Sequence, residues 1–397
     1  MIRSVVVSVS FSAIVLLAAI PAVQIPAGTE IQIRLTTAVS SATAKAKDPV
    51  TAVVIAPAGI PGGIVLTGTV KSAKPGVDKT QAELDLRFIL AGTTAIDASV
   101  ASLENARETV NANGVILGIV GSETYSSRIE QGIEKMSGNS KLAGLATILE
   151  GATQAMKIQP ADPNIVYAVG TELTLKLNKP ISWAAPDTGA FSRLKEIPNG
   201  DALIDLVNWQ PFRTATERPT RPSDITNLMF IGTEAQLRNA FEKAGWTTAA
   251  KLSSQSKMET ARAIIEARGY KEGPMSVLLL DGNAPDMVFQ KGNNTFASRH
   301  HLRIFRRPDT FAGQPVWVCS STHDTGIEYS DANRTFIHKI DSNIDRERAK
   351  VAGDLIFTGL VQGIALVDRP EIPQKISNAT GDLLETDGKM AVLLLNP

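Results

Sequence analysis

Apolar and polar residues alternate along much of the first half of the chain, and a period of two predicts strands. Residues 30–35 read Glu-Ile-Gln-Ile-Arg-Leu, which puts Ile31, Ile33 and Leu35 on one face. The stretch 27–35, Ala-Gly-Thr-Glu-Ile-Gln-Ile-Arg-Leu, returns at 169–177 as Val-Gly-Thr-Glu-Leu-Thr-Leu-Lys-Leu. Two copies are too few for a solenoid, in which several repeats stack. They suit a pair of edge or closing strands at the start and end of one sheet or small barrel. Between them, 50–56, 64–71 and 82–90 predict further strands, separated by Pro- and Gly-containing turns at 57–63 and 74–79.

The period changes at 123–157. Ile129, Ile133 and Met136 recur at helical spacing, as do Leu142, Leu145, Leu149, Ala152 and Met156. The break at 137–140 predicts two helices inserted before the last strand, either capping the sheet or projecting towards a partner. Prolines from Pro180 to Pro222 disfavour continuous helix or central strand, so 183–223 reads as a linker. Within it, 202–207 and Trp209 are apolar enough to dock on a neighbouring domain. Beyond it the pattern is mixed. Residues 227–231, 277–280, 286–289, 301–305, 316–321, 335–340 and 390–395 predict strands. Residues 234–244, 257–268 and 344–360 predict helices. The expected fold class is α+β: a β-rich sheet or small barrel with a helical insertion over 24–182, then a mixed α+β domain over 224–397.

The first 22 residues stand apart. Arg3 precedes an uncharged apolar run from Val5 to Ile20, and Ile20-Pro21-Ala22 offers a cleavage point after Ala22. A cleaved secretory signal is therefore expected, placing the mature protein in the periplasm or outside the cell. The best rival membrane span, 351–367, carries Asp354 and Gln362, and its Gly359 and Gly363 are read as closely packed helix positions. The mature chain is not expected to be integral to a membrane.

Composition narrows the chemistry. With 43% hydrophobic and 20% charged residues, the chain supports ordinary globular cores. Forty basic residues balance forty acidic ones, and no nucleic-acid partner is expected from that balance. Cys319 is the single cysteine, which excludes an intrachain disulfide. It sits in an apolar run and reads as a small buried hydrophobe. The glycines of 114–121 lack the lysine of a phosphate-binding loop, and no serine lies in a nucleophile elbow.

All four histidines fall between residues 300 and 338, beside arginines and acids. Three readings fit. A metal-free acid–base site would use His301, His323, Asp324 and Asp345, with Arg299, Arg303 and Arg348 holding a phosphate or carboxylate. A divalent metal would draw three or four ligands from His300 or His301, His323, Asp324, His338 and Asp341, although no His-x-x-x-His spacing is present. The third reading is a buried hydrogen-bond network. Alternation already separates His301 and Arg303 from His300, and it makes His338 a core histidine. Asp341 and Ser342 are expected to cap the helix that follows.

Taken in order, these motifs resemble the LssY C-terminal domain family over residues 201–395. The matching pieces are Asn227-Leu-Met-Phe-Ile-Gly-Thr-Glu234, Gly245-Trp246 and Arg299-His-His-Leu-Arg-Ile-Phe305. Pro315-Val-Trp-Val318, His323-Asp324, His338-Lys-Ile-Asp341, Ile344-Asp345-Arg-Glu-Arg348 and Thr386-Asp-Gly388 follow. In that family the domain is often fused to membrane regions resembling lipid phosphatases, whereas here an expected exported β domain precedes it. The Ile-Pro-Ala-Gly-Thr opening at 25–29 is similar to β-barrel domains of conjugation and type IV secretion channel subunits. The expected function is an exported envelope protein that binds or hydrolyses a phosphate- or carboxylate-bearing ligand. The alternative is a non-catalytic secretion or assembly module that binds a protein partner.

Overall fold

In the computed structural model the described residues are 22–56, 59–77, 79–184, 193–197, 200–249, 254–268, 275–292, 295, 298–330 and 335–397, with backbone alone at 254, 257, 327–330 and 335–338. The expected secretory signal lies outside them, except for Ala22.

The N-terminal domain is a six-stranded antiparallel ring of β1 (Glu30–Leu35), β2 (Pro49–Val54), β3 (Val65–Lys74), β4 (Glu83–Ala91), β5 (Thr94–Leu103) and β6 (Glu172–Leu177). Each strand pairs with the next in sequence, and β6 returns to pair with β1 in the register Glu172↔Arg34 to Lys176↔Glu30. The two echo copies are therefore the neighbours that close the barrel. Their inward side chains, among them Ile31, Ile33, Leu173 and Leu175, are fully buried with Leu66, Leu86 and Phe88. Closure removes the free sheet edges that a six-strand meander would otherwise expose. Helices α1 (Tyr125–Ser137) and α2 (Ala143–Ala155) form the expected insertion, and Thr124 caps α1 by accepting from the Ser127 amide.

The segment expected as a linker is structured at its second half. Helix α3 (Asp201–Trp209) buries Leu203 and Val207 in the C-terminal core, while Trp209 stays 83% exposed. The C-terminal sheet runs β12–β13–β7–β10–β9–β8, with β11 on β10. Its strands are β7 (Leu228–Ile231), β8 (Met287–Lys291), β9 (Arg299–Phe311), β10 (Gln314–Ser330), β11 (Thr335–Ile340), β12 (Val361–Asp368) and β13 (Lys389–Leu395). Only β7 and β13 run parallel among these pairs.

Two cores sandwich this sheet. On one face, α4 (Glu234–Lys243) and α6 (Ile344–Phe357) cover Phe230, Leu302, Ile304 and Cys319. On the other, α3 covers Met229, Phe305 and Val318. Helix α5 (Ser254–Ile265) lies towards the β domain, where Arg107 donates to the Ala267 carbonyl and the Gln159 amide to Glu266. Thr233 and Gln236 form a capping box on α4, and Gly245 follows that helix at φ 82°. Two expectations need correcting. Residues 351–367 are not one helix: α6 ends before Gly359, whose φ of 74° reverses the chain into β12. Gly363 is a strand residue beside the Lys195 carbonyl. The α6 cap is Asn343, not Asp341 or Ser342; Asp341 instead accepts from the Asn343 amide at 2.9 Å.

Candidate functional site

Strands β9 and β10 pair in the register Arg299↔Asp324, His300↔His323 and His301↔Thr322. Because side chains alternate across a strand, this register divides the histidine cluster between the two sheet faces.

Arg299, His301, Arg303 and Asp324 share the face that carries Phe305 and Val318. Arg299 donates to Asp324 at 3.3 Å and to Gln290 at 2.8 Å. One ring nitrogen of His301 lies 2.6 Å from the Thr322 hydroxyl and the other 3.4 Å from Asp324. Arg303 donates to the Ser276 carbonyl and lies 3.4 Å from Asp224. All four are buried, and burial pulls both guanidinium pKa values down against the pull of the nearby acids. Four of the expected site residues are thus brought together, and each is engaged with an internal partner.

His300 and His323 project from the opposite face, towards α6 and the barrel. Their rings stack at 4.3 Å and 21°. His300 Nδ1 lies 2.7 Å from Glu347 of α6, and its Nε2 lies 3.8 Å from Glu104, just beyond the end of β5. Burial works against the imidazolium, but Glu347 and Glu104 outweigh it and hold the His300 pKa up at about 9. The Glu104 carboxyl is pulled down by its hydrogen bond to His300, which exceeds the effect of burial. His323 goes the other way: burial and the neighbouring His300 charge both lower its pKa. The pair is therefore one imidazolium against one neutral imidazole. His323 Nε2 lies 2.7 Å from the Asn105 side-chain oxygen, a bond that crosses to the barrel domain and fixes the proton on that nitrogen.

Beside the pair, charges from both domains interlock. Glu172 of β6 accepts from Arg34 at 2.6 Å, from Lys291 of β8 at 2.6 Å and from Lys350 of α6 at 2.8 Å. Asp354, one turn beyond Lys350, accepts from Lys291 at 2.9 Å, from Lys350 at 2.7 Å and from the Trp246 indole at 3.0 Å. Burial alone would raise the Glu172 carboxyl, yet Lys350, Lys291 and Arg34 together hold it well below its usual value. Glu172 is buried because the C-terminal domain covers the outer face of the closing strands.

Two clefts open on either side of the His300–Glu104 contact. The first, about 400 Å³, is lined by Arg34, Lys243, Lys291 and His300 against Glu104 and Glu172, with Gly170, Gly245 and Gly292 bringing backbone to its wall. The second, about 480 Å³, is lined by His300, His323, Glu347, Lys350, Asp341 and Arg346, and by Gln32 and Ile55 of the barrel.

The other expected site residues lie apart. Arg348 forms a two-pronged pair with Asp387, and Asp345 accepts from Arg348, the Thr386 hydroxyl and the Asp387 amide. This ties the start of α6 to the Thr386-Asp-Gly388 turn. Asp341 lies at the rim of the second cleft, and the side chain of His338 lies outside the described residues. Among the described residues no three His, Cys, Asp or Glu side chains gather as a metal site. Sequence reasoning missed Arg34, Glu104, Glu172, Lys243, Lys291 and Lys350. The available signal was the Glu347, Lys350 and Asp354 spacing, which puts three ionisable groups on adjoining positions of a helix that must pack.

Among the described residues no helix is long and apolar enough to cross a membrane. No curated protein matches this chain. Residues 208–390, from the end of α3 into β13, match the family described as LssY C-terminus, and the C-terminal domain is thus LssY-like, as its motifs implied.

Proposed function

We propose that this is an exported envelope protein whose interdomain cleft binds a phosphate- or carboxylate-bearing ligand. One observation carries the reading: in the first cleft four cationic side chains face two carboxylates, and one of the four is a buried imidazolium held charged at neutral pH. Arg34, Lys291 and His300 are paired with Glu172, Asp354, Glu347 and Glu104, and the cation left over in this partly dehydrated concavity is exposed Lys243, which has no salt bridge among the described residues and favours an anion. Export rests on the apolar run and small-residue site of residues 1–22.

Calorimetric titration of phosphate and acetate into the full chain tests the reading. Lys243 is exposed, so Lys243→Ala removes a cleft cation without disturbing the core. Weakening of anion binding by roughly five-fold or more is expected for the loss of a charged contact. Unchanged binding contradicts the reading. A hydrolytic version adds neutral His323 as a base. Equal rates on phosphomonoesters, phosphodiesters and esters for wild type, His301→Ala and His323→Ala remove that version.

The assembly reading has its own support: Leu142, at the start of α2, and Leu145, Ile148 and Leu149 within it are all exposed. If deleting residues 123–157 leaves co-purification with envelope complexes unchanged, these helices only pack locally.

A further inference from the structure

A groove of about 790 Å³ runs between α3 and the hairpin that joins β9 to β10, and it shares no lining residue with either cleft. Leu206 and Phe311 line it and are packed against the core beneath α3. Phe311 pairs with Gln314 across a two-residue turn in which Ala312 and Gly313 both have positive φ, the tight geometry that matches strand twist. Asp309 is tied to the end of α3 by the Gln210 side-chain amide, which donates to it at 3.1 Å. Trp209, the last residue of α3, stands 83% exposed at the groove. Asp205 precedes it by four residues, one turn back on the same helix face.

An exposed indole and two carboxylates thus line one hollow, and no cationic side chain lines it with them. Among the described residues neither Asp205 nor Asp309 has an ion-pair partner. The arginines closest in sequence are engaged elsewhere. Arg307 donates to Gln210 and pairs with Asp281 at 2.9 Å. Arg306 lies over the Trp317 ring at 5.4 Å and donates to backbone carbonyls, that of Asp309 included. A negative hollow with an aromatic wall favours a cation. A tryptophan left in solvent is also the residue type most enriched where protein interfaces hold their binding energy.

We propose that this groove docks a partner protein through an arginine side chain. The planar guanidinium stacks on the Trp209 indole and donates from its edges to Asp205 and Asp309, with its methylene stem against Leu206 and Phe311. A lysine ammonium supplies the charge but neither the flat face nor the fork, and a quaternary ammonium has no N–H to donate. The groove is larger than one side chain, so it takes a segment of chain rather than a small free cation. This docking is independent of anion binding in the clefts.

Three capped tripeptides, with arginine, lysine or citrulline between two alanines, serve as probes titrated into the full chain. Citrulline keeps the planar end group and removes its charge. Binding is read from the Trp209 indole N–H by nitrogen-15 NMR, the signal being assigned by its absence in Trp209→Phe. The arginine peptide is expected to bind about ten-fold more tightly than the citrulline peptide, the scale of a charged hydrogen bond with stacking. It is also expected to bind more tightly than the lysine peptide. The ten-fold preference is expected to fall towards one in Asp205→Asn, a change at an exposed position that leaves the fold intact. Equal binding of the arginine peptide and either competitor overturns the proposal, as does a Trp209 signal that no peptide shifts. Sedimentation velocity of the full chain examines the other occupant. A dimer that Trp209→Ala dissociates assigns the groove to a second copy and overturns the proposal as well.

Discussion

Arg34 and Glu172 face each other in register on β1 and β6, and their side chains pair at 2.6 Å on the outer wall of the barrel. They occupy the fifth and first positions of the two echoed strand segments. The repeat that closes the barrel thus also places the ion pair on which the second domain docks. Lys291 and Lys350 reach Glu172 from that domain, and Asp354 balances them.

Removing Glu172 leaves Arg34, Lys291 and Lys350 buried around Asp354 alone. Glu172→Ala is expected to destabilise the chain by about 3–5 kcal/mol, the range for breaking a buried charge network from one side. Urea unfolding followed by circular dichroism measures this. A loss below about 1 kcal/mol, the scale of an exposed pair, contradicts the assigned burial.

Stability should also depend on pH in a way the interface dictates. His300 has its pKa raised from 6.5 to about 9 on folding. Between those values the folded chain binds more protons than the unfolded one, so this contribution is complete below pH 6.5 and disappears as pH rises through 9. Its size is on the order of 3 kcal/mol. Glu172 and Asp354, both lowered, contribute above their unfolded values of 4.5 and 3.8 and lose that contribution as pH falls. His323, also lowered, loses its smaller share as pH falls below 6.5. Thermal unfolding from pH 4 to pH 10 is expected to show both limbs. His300→Gln is expected to flatten the alkaline limb alone; an alkaline limb identical in the variant contradicts the assignment.

The Pro-rich stretch offers a sharper contrast. Leu203 is buried under the C-terminal sheet, whereas Trp209, two turns on, is largely in solvent. Leu203→Ala is expected to cost about 2–5 kcal/mol and Trp209→Ala within about 0.5 kcal/mol. Comparable losses in the two variants would show that α3 docks differently.

Much of this fold is legible in the sequence. Clean alternation marks β1, β4 and β6, and the echo marks which strands close the ring. β5 is hidden because Thr94–Leu103 is built largely from Ala, Ser and Thr, whose small contrast in hydrophobicity blurs the period. The turn at Gly359 is hidden inside an apolar run that fits a helix as readily as a buried strand. The site is only half legible. Alternation correctly separates His300 from His301, so a single hollow holding every candidate is not what the strands build. The charges at the interface are invisible because their burial depends on partners far away in the chain. Lys291 and Glu172 are 119 residues apart, and each alone reads as a solvated surface residue.

The central claim is that a histidine at the domain interface is held protonated beside an anion-binding cleft. Nitrogen-15 NMR of the histidine rings in the full chain, titrated with and without phosphate, examines it directly. The account predicts one imidazole, absent in His300→Gln, that titrates near pH 9 and moves higher when phosphate is added. Four histidines all titrating below pH 7, or a His300 curve that phosphate does not shift, would contradict it.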